Sequence, residues 1–278
     1  MILRIICLVL VSSISGIAFA DDEQKGGPPP GVDDEGWSFF VGGGGFYAPT
    51  YSGDDDYQAN LVPFIRITKG DEFFLSVQEG AGWALVNDDG FRAGPLATLD
   101  FGRDEDGASP FAISGDVSPD LIGLGDVDFT VALGGFAEYE TGDVTFKLRA
   151  GRAVSSHEGM TAELAMDYNA RIMSLGPPLI ISAGPRLKWA DNKYNQAYYG
   201  ITSDQALASG LPVFDADSGL VSFGLGANAI LPLSRDGLGL TIFGSYDRLT
   251  GDASDSPLVR QRGSADQFFG GAAIAYRF

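Results

Sequence analysis

The chain has 278 residues with 18 Lys and Arg against 37 Asp and Glu, a formal net charge of -19, and one cysteine and one histidine. Such acidity excludes a nucleic-acid partner, which needs a basic face, and one histidine with one cysteine leaves no transition-metal set. Almost half the residues are apolar, yet no stretch after the first twenty holds the roughly 18 consecutive apolar residues of a spanning helix.

In chain order, a short basic start ending at Arg4, an apolar run over 5–11 and Ala18-Phe19-Ala20 before Asp21 read as a secretory signal peptide over 1–20. Cys7 lies inside it, so the processed chain is expected to carry no cysteine and no disulfide. Residues 21–36, with Pro28-Pro29-Pro30 among glycines and acids, read as a flexible lead-in. From Trp37 to the end, period-two alternation dominates and helical periodicity is scarce.

The alternation places strands at 37–48, 59–68, 71–86, 91–103, 126–140, 143–154, 160–174, 179–191, 218–232, 237–250 and 266–278. In 160–172, Met160, Ala162, Leu164, Met166, Tyr168 and Ile172 form one row, while Thr161, Glu163, Asp167, Asn169 and Arg171 form the other. The last strand carries Phe268, Ile274, Tyr276 and Phe278 on one parity and ends on that aromatic. A soluble sandwich would alternate in the same way. Length separates the two: these segments exceed the usual 5–6 residues of soluble strands and reach the 9–11 of a tilted membrane strand. The fold expected is therefore all-β, a transmembrane antiparallel up-and-down β-barrel over 37–278, set as a monomer in outer-membrane lipid of a Gram-negative bacterium.

Eleven segments make an odd number, whereas bacterial single-chain barrels carry an even one. A break of 71–86 at Gly80-Ala81-Gly82, or an extra strand at 256–261, restores parity, so ten and twelve strands both remain open. Short connections such as Asn87-Asp88-Asp89-Gly90 and Thr141-Gly142 have turn chemistry. Longer ones run over 49–58, 104–125, 192–217 and 251–265.

The inward parity collects Asp128, Glu138, Lys147, Arg149, Glu163, Asp167, Asn169, Arg171, Asn228 and Asp247 as candidate lumen groups. Opposite charges on neighbouring strands can pair and fill a narrow bore, or they can line a selective polar pathway. Asp54-Asp55-Asp56 lacks the spaced ligands of a calcium loop and reads as a solvated charge run. The glycines Gly42 to Gly45 precede no Lys-Ser/Thr and open no helix, so they are strand glycines for close packing rather than a phosphate cradle. His157 follows Ser155-Ser156 in one tight connection, where a serine–histidine–carboxylate relay cannot form unaided. No catalytic, cofactor or metal residue is expected.

Several segments together resemble the MipA/OmpV family of outer-membrane proteins. These are Tyr51-Ser52-Gly53 with Pro63 in the next strand, Leu121-Ile122-Gly123-Leu124-Gly125-Asp126-Val127, Tyr198-Tyr199-Gly200, the stretch from Arg248-Leu249-Thr250 to Asp255-Ser256-Pro257-Leu258-Val259, and the Tyr276-Arg277-Phe278 end. The resemblance spans the chain from Trp37 and implies an outer-membrane barrel without established catalytic residues. It implies a scaffold that joins a murein transglycosylase to a murein synthase, hence the name MltA-interacting protein; other members are associated with adhesion, osmotic response or small-molecule sensitivity. Tyr198, Tyr199, Asp255, Ser256 and Pro257 fall in loops and are the candidate partner contacts. A small diffusion channel or an adhesin is the competing function, and an outer-membrane hydrolase built on His157 a third.

Overall fold

The computed structural model describes residues 36–107, 111–115, 118–173 and 178–278. The expected signal peptide and nearly all of the lead-in lie outside these residues.

Fourteen strands follow one another: β1 (Trp37–Pro49), β2 (Tyr57–Lys69), β3 (Phe73–Ser76), β4 (Gly80–Trp83), β5 (Val86–Asp88), β6 (Phe91–Asp100), β7 (Ala112–Gly115), β8 (Thr130–Thr141), β9 (Val144–Ala153), β10 (Met160–Ile172), β11 (Leu179–Ala190), β12 (Gly219–Pro232), β13 (Leu238–Leu249) and β14 (Asp266–Arg277). Four short helices interrupt them: α1 (Asn192–Tyr199), α2 (Ser203–Ser209), α3 (Gly251–Asp255) and α4 (Pro257–Arg262). β5 continues β4 beyond an irregularity at Ala84-Leu85 and pairs with β6, and β7 belongs to a long loop and pairs with the end of β2. The remaining strands form a closed antiparallel barrel of twelve, in which β14 returns to β1 from Phe40 opposite Arg277 to Tyr47 opposite Gly270.

The even count comes from the 71–86 segment. It is a hairpin that turns at Val77–Glu79, just before the glycines where the sequence suggested a break. The Ser76 hydroxyl accepts the Glu79 N–H at 3.0 Å, and Gly80 takes a φ of 82°, a conformation that a side chain would strain. The alternative strand at 256–261 is instead α4. Pro257 occupies its first turn, where the missing N–H has no partner to lose.

Side-chain parity follows the alternation. Trp37, Phe39, Val41 and Tyr47 of β1 point out, as do Phe268, Ile274 and Tyr276 of β14, and Phe146, Leu148, Leu164, Met166 and Tyr168 continue the apolar belt. Inside, Phe46, Ala48 and Phe269 pack with Val62, Phe101, Phe111 and Phe243, while Phe40 packs with Phe64 and Ala275. The chain ends and the turns after β2, β8 and β12 share one rim, with the long loops on the other. Short turns mark the periplasmic side of such barrels and long loops the outer side.

The β1–β14 seam closes the wall, and Gly42 makes it possible. A Cβ there would stand 1.9 Å from the Ile274 carbonyl oxygen. Gly42→Val should therefore open the seam and yield protein that fails to show the heat-modifiable gel mobility of a closed barrel. Gly43→Val, whose Cβ would meet only the Val62 oxygen at 4.0 Å, should keep that mobility.

Candidate functional site in the lumen and its outer cap

Antiparallel register sets the inward charges in rows. Glu163 on β10 stands opposite Arg149 on β9 and Lys188 on β11. Lys147 reaches Asp167 at 2.8 Å. Arg186 holds Asp247 through two bonds, Nε donating to Oδ1 at 2.7 Å and Nη2 to Oδ2. Glu79, carried inward by the β3–β4 turn, forms an ion pair with Arg66 at 3.0 Å and faces Arg149 at 3.8 Å. Arg149 also faces Glu138 at 3.7 Å, and Glu138 is held by Arg92 at 2.5 Å. A chain of alternating charge thus reaches from β2 to β9 and continues along the wall through β8 to β6.

Of the candidate lumen residues, Glu138, Lys147, Arg149, Asp167 and Asp247 enter these pairs, and Asn169 donates to the Thr145 hydroxyl at 2.9 Å. Glu163 and Asn228 line the central cavity. Asp128 lies before β8 and is exposed, and Arg171 is exposed toward the periplasmic rim. Arg66, Glu79, Arg92, Arg186 and Lys188 were missed. Strand parity alone could have marked four of them, but Glu79 turns inward only because the hairpin tip does.

The cavity between these groups and the aromatic wall holds about 210 Å³. Lys147, Arg149, Asp167 and Arg186 face it from one side, Phe243 and Phe269 from the other.

Above the cavity, the outer loops fold into a cap. Asp191 opens α1 by accepting the Tyr194 N–H at 3.0 Å, and Thr202 with Gln205 forms a capping box that opens α2. These are sequence signals of the Thr-x-x-Gln kind, passed over because the helices are too short for a periodic stripe. Tyr194, Tyr198, Tyr199, Val127, Leu249 and Val259 form one apolar cluster. Tyr51, Leu121, Leu124, Ile201, Leu211 and Leu258 form a second. Every loop segment that carries the family resemblance therefore contributes to one packed lid.

The loop positions named as partner contacts are part of this packing. Tyr199 is 1% exposed and Ser256 0%, the Ser256 hydroxyl donating to the Tyr199 carbonyl at 2.6 Å. Tyr198 and Pro257 are buried too, and Asp255 alone of the five is exposed. A short helix must turn its apolar and small side chains toward the tyrosines, so these residues join loops rather than present themselves outward. Burial pushes the Tyr194, Tyr198 and Tyr199 hydroxyls well above the ordinary tyrosine range, keeping them neutral donors. Arg103 is buried among them and donates to the Tyr198 carbonyl at 2.8 Å.

His157 is fully engaged in the same lid. Its Nδ1 accepts the Gly159 N–H at 2.9 Å, so Nε2 carries the proton and donates to Asp100 at 3.1 Å. The Tyr198 hydroxyl donates to the other Asp100 oxygen at 2.5 Å. Neither ring nitrogen is left to take a proton from a serine, and the nearby Ser155 hydroxyl pairs with Thr130 at 2.9 Å.

The acidic triplet is a solvated tip only in part: Asp55 is exposed and Asp56 half-buried, whereas Asp54 turns inward. Asp54 is buried, accepts the Thr50 hydroxyl and takes the Asp56 N–H at 3.1 Å. The Asp54, Asp55 and Asp120 carboxylates lie within 4.8 Å of one another. Burial, the largest cause, pushes Asp54 up to about 6 against the hydrogen bonds that pull it down.

Two outcomes follow. The folded chain binds the Asp54 proton more tightly than the unfolded chain, so stability is full below about 4 and falls as pH rises through about 6. At about 1.4 kcal/mol per pKa unit the difference is at most about 3 kcal/mol. The thermal midpoint of the natural chain should drop between pH 5 and pH 7 by more than that of Asp54→Asn; equal drops would refute the assignment. Separately, Glu79→Ala leaves Arg66 and Arg149 facing each other in the bore and should lower stability by about 3 kcal/mol or more, read from denaturant unfolding in bilayers.

Comparison with known proteins places this geometry. The family of MltA-interacting protein MipA matches residues 41–278, while no curated protein matches. Similar solved structures include an outer membrane channel from Pseudomonas putida F1, at 13% identity and a TM-score of 0.43 over 92% of this chain and 100% of that one. The NanC porin is 11% identical with a TM-score of 0.39, covering 86% of this chain and 98% of its own. The outer membrane protein OprD from Pseudomonas aeruginosa is 13% identical with a TM-score of 0.34, covering 88% and 65%. With its family match running from the first strand to the last residue, the chain belongs to the MltA-interacting protein MipA family and is a β-barrel of the Gram-negative outer membrane.

Proposed function

We propose that this barrel works by holding a periplasmic partner rather than by passing solutes or catalysing a reaction. The observation that carries the reading is the bore narrowed by ion pairs and topped by packed loops. Arg66, Glu79, Arg149, Glu138 and Arg92 narrow it with alternating charge, and the tyrosine lid covers its outer mouth. Opening a path would separate ion pairs already taken out of bulk water, at several kcal/mol each. The engaged nitrogens of His157 supply no general base, which supports a non-enzymatic role.

The family's name assigns its namesake a partner of the MltA class, a murein transglycosylase. Carried to this chain, that makes it an outer-membrane scaffold for a murein-degrading enzyme, joined by a murein synthase as the resemblance implies. The partner-facing surface in this reading is the periplasmic rim with the 21–36 lead-in.

Crosslinking in intact envelopes followed by capture of the full chain should recover a murein transglycosylase, and shortening the lead-in should reduce the yield. The purified protein should add no stepwise conductance to planar bilayers. Regular conductance steps that change with Lys147→Glu would replace this reading with the diffusion channel.

A further inference from the structure

The lumen cavity has a chemical character of its own. Its ions are engaged with one another: Lys147 meets Asp167, Arg186 meets Asp247, and Glu79 lies between Arg66 and Arg149. A ligand of net charge would have to displace one member of a buried pair, which is costly. Two polar atoms on its wall are nevertheless unmet. The Gln78 Oε1 acceptor and the Arg149 Nε donor are buried, and neither has a hydrogen-bond partner among the described residues. They belong to one neighbourhood, since Glu79, the residue after Gln78, faces Arg149 at 3.8 Å.

Buried polar atoms are seldom left without a partner, and leaving one so costs free energy. A hydroxyl suits both, because it donates through its hydrogen to Gln78 and accepts from Arg149. Ser182 and Asn228 stand opposite each other in register across β11 and β12, adding a hydroxyl and an amide to the same cavity. Phe243 and Phe269 stack at 5.5 Å and give the opposite side a flat apolar surface. Fixed donors and acceptors, an aromatic face and ions already engaged with one another together match a small ring bearing several hydroxyls.

We propose that the lumen cavity binds a small uncharged polyhydroxylated ligand of the monosaccharide class. This goes beyond the periplasmic scaffold and does not depend on it. The full chain in phospholipid nanodiscs would be titrated calorimetrically with glucose and N-acetylglucosamine, with glucuronate and glucosamine as charged comparators. The neutral sugars should give saturable heat, and the charged ones should bind at least about tenfold more weakly, the price of disturbing a buried ion pair. Gln78→Leu, checked by heat-modifiable mobility, should weaken the neutral sugars about fivefold, as expected for one lost hydrogen bond. No saturable heat from any sugar with a folded barrel would mean that the cavity holds water only. Tighter binding of glucuronate than of glucose would make it an anion site, and unchanged affinity in Gln78→Leu would remove the site from this wall. Each of these results overturns the proposal.

Discussion

Hydrocarbon offers backbone amides no hydrogen-bond partner, and everything else in this molecule rests on that constraint. A strand that crosses the membrane must bond both of its edges, so the sheet has to close on itself. The seam between β1 and β14 is where closure happens, and Gly42 permits the backbone approach it requires. Closure also fixes the sidedness of every strand, because a slip of one residue would turn the apolar belt inward and the ion pairs toward lipid.

Closing a twelve-stranded wall creates an interior lined by polar and charged side chains. The charges that face it meet across strands far apart in sequence: Arg66 and Glu79 near the start with Arg149 in the middle, Arg186 with Asp247 later on. Such pairs add little net stability compared with an apolar filling, but losing one partner is severe. They hold the short β3–β4 hairpin in the wall through Glu79, which lets a brief strand pair stand where a longer one was expected. The same network that completes the wall also reaches into the bore.

The outer cap follows a different logic. It lies outside the hydrocarbon, where loops meet water, yet it buries tyrosines, an arginine and an aspartate as a soluble core would. Its segments come from five separate loops, and each is too small to bury anything alone. The segments that carry the family resemblance are there because they fit one another.

The sequence by itself determined the strands, their outward rows and the membrane setting. Alternation is local, and the lipid face of a strand such as Met160–Ile172 is written in every second residue. The family was legible from its loop segments as well. Only the tertiary structure decided that the twelfth strand arises at Val77–Glu79, that Glu79 points inward, and that residues after Ser256 form a helix. It alone decided which charges pair and that Tyr198 and Tyr199 are buried. Those outcomes depend on neighbours brought close by closure of the barrel, and closure is a property of the whole ring rather than of any stretch of chain.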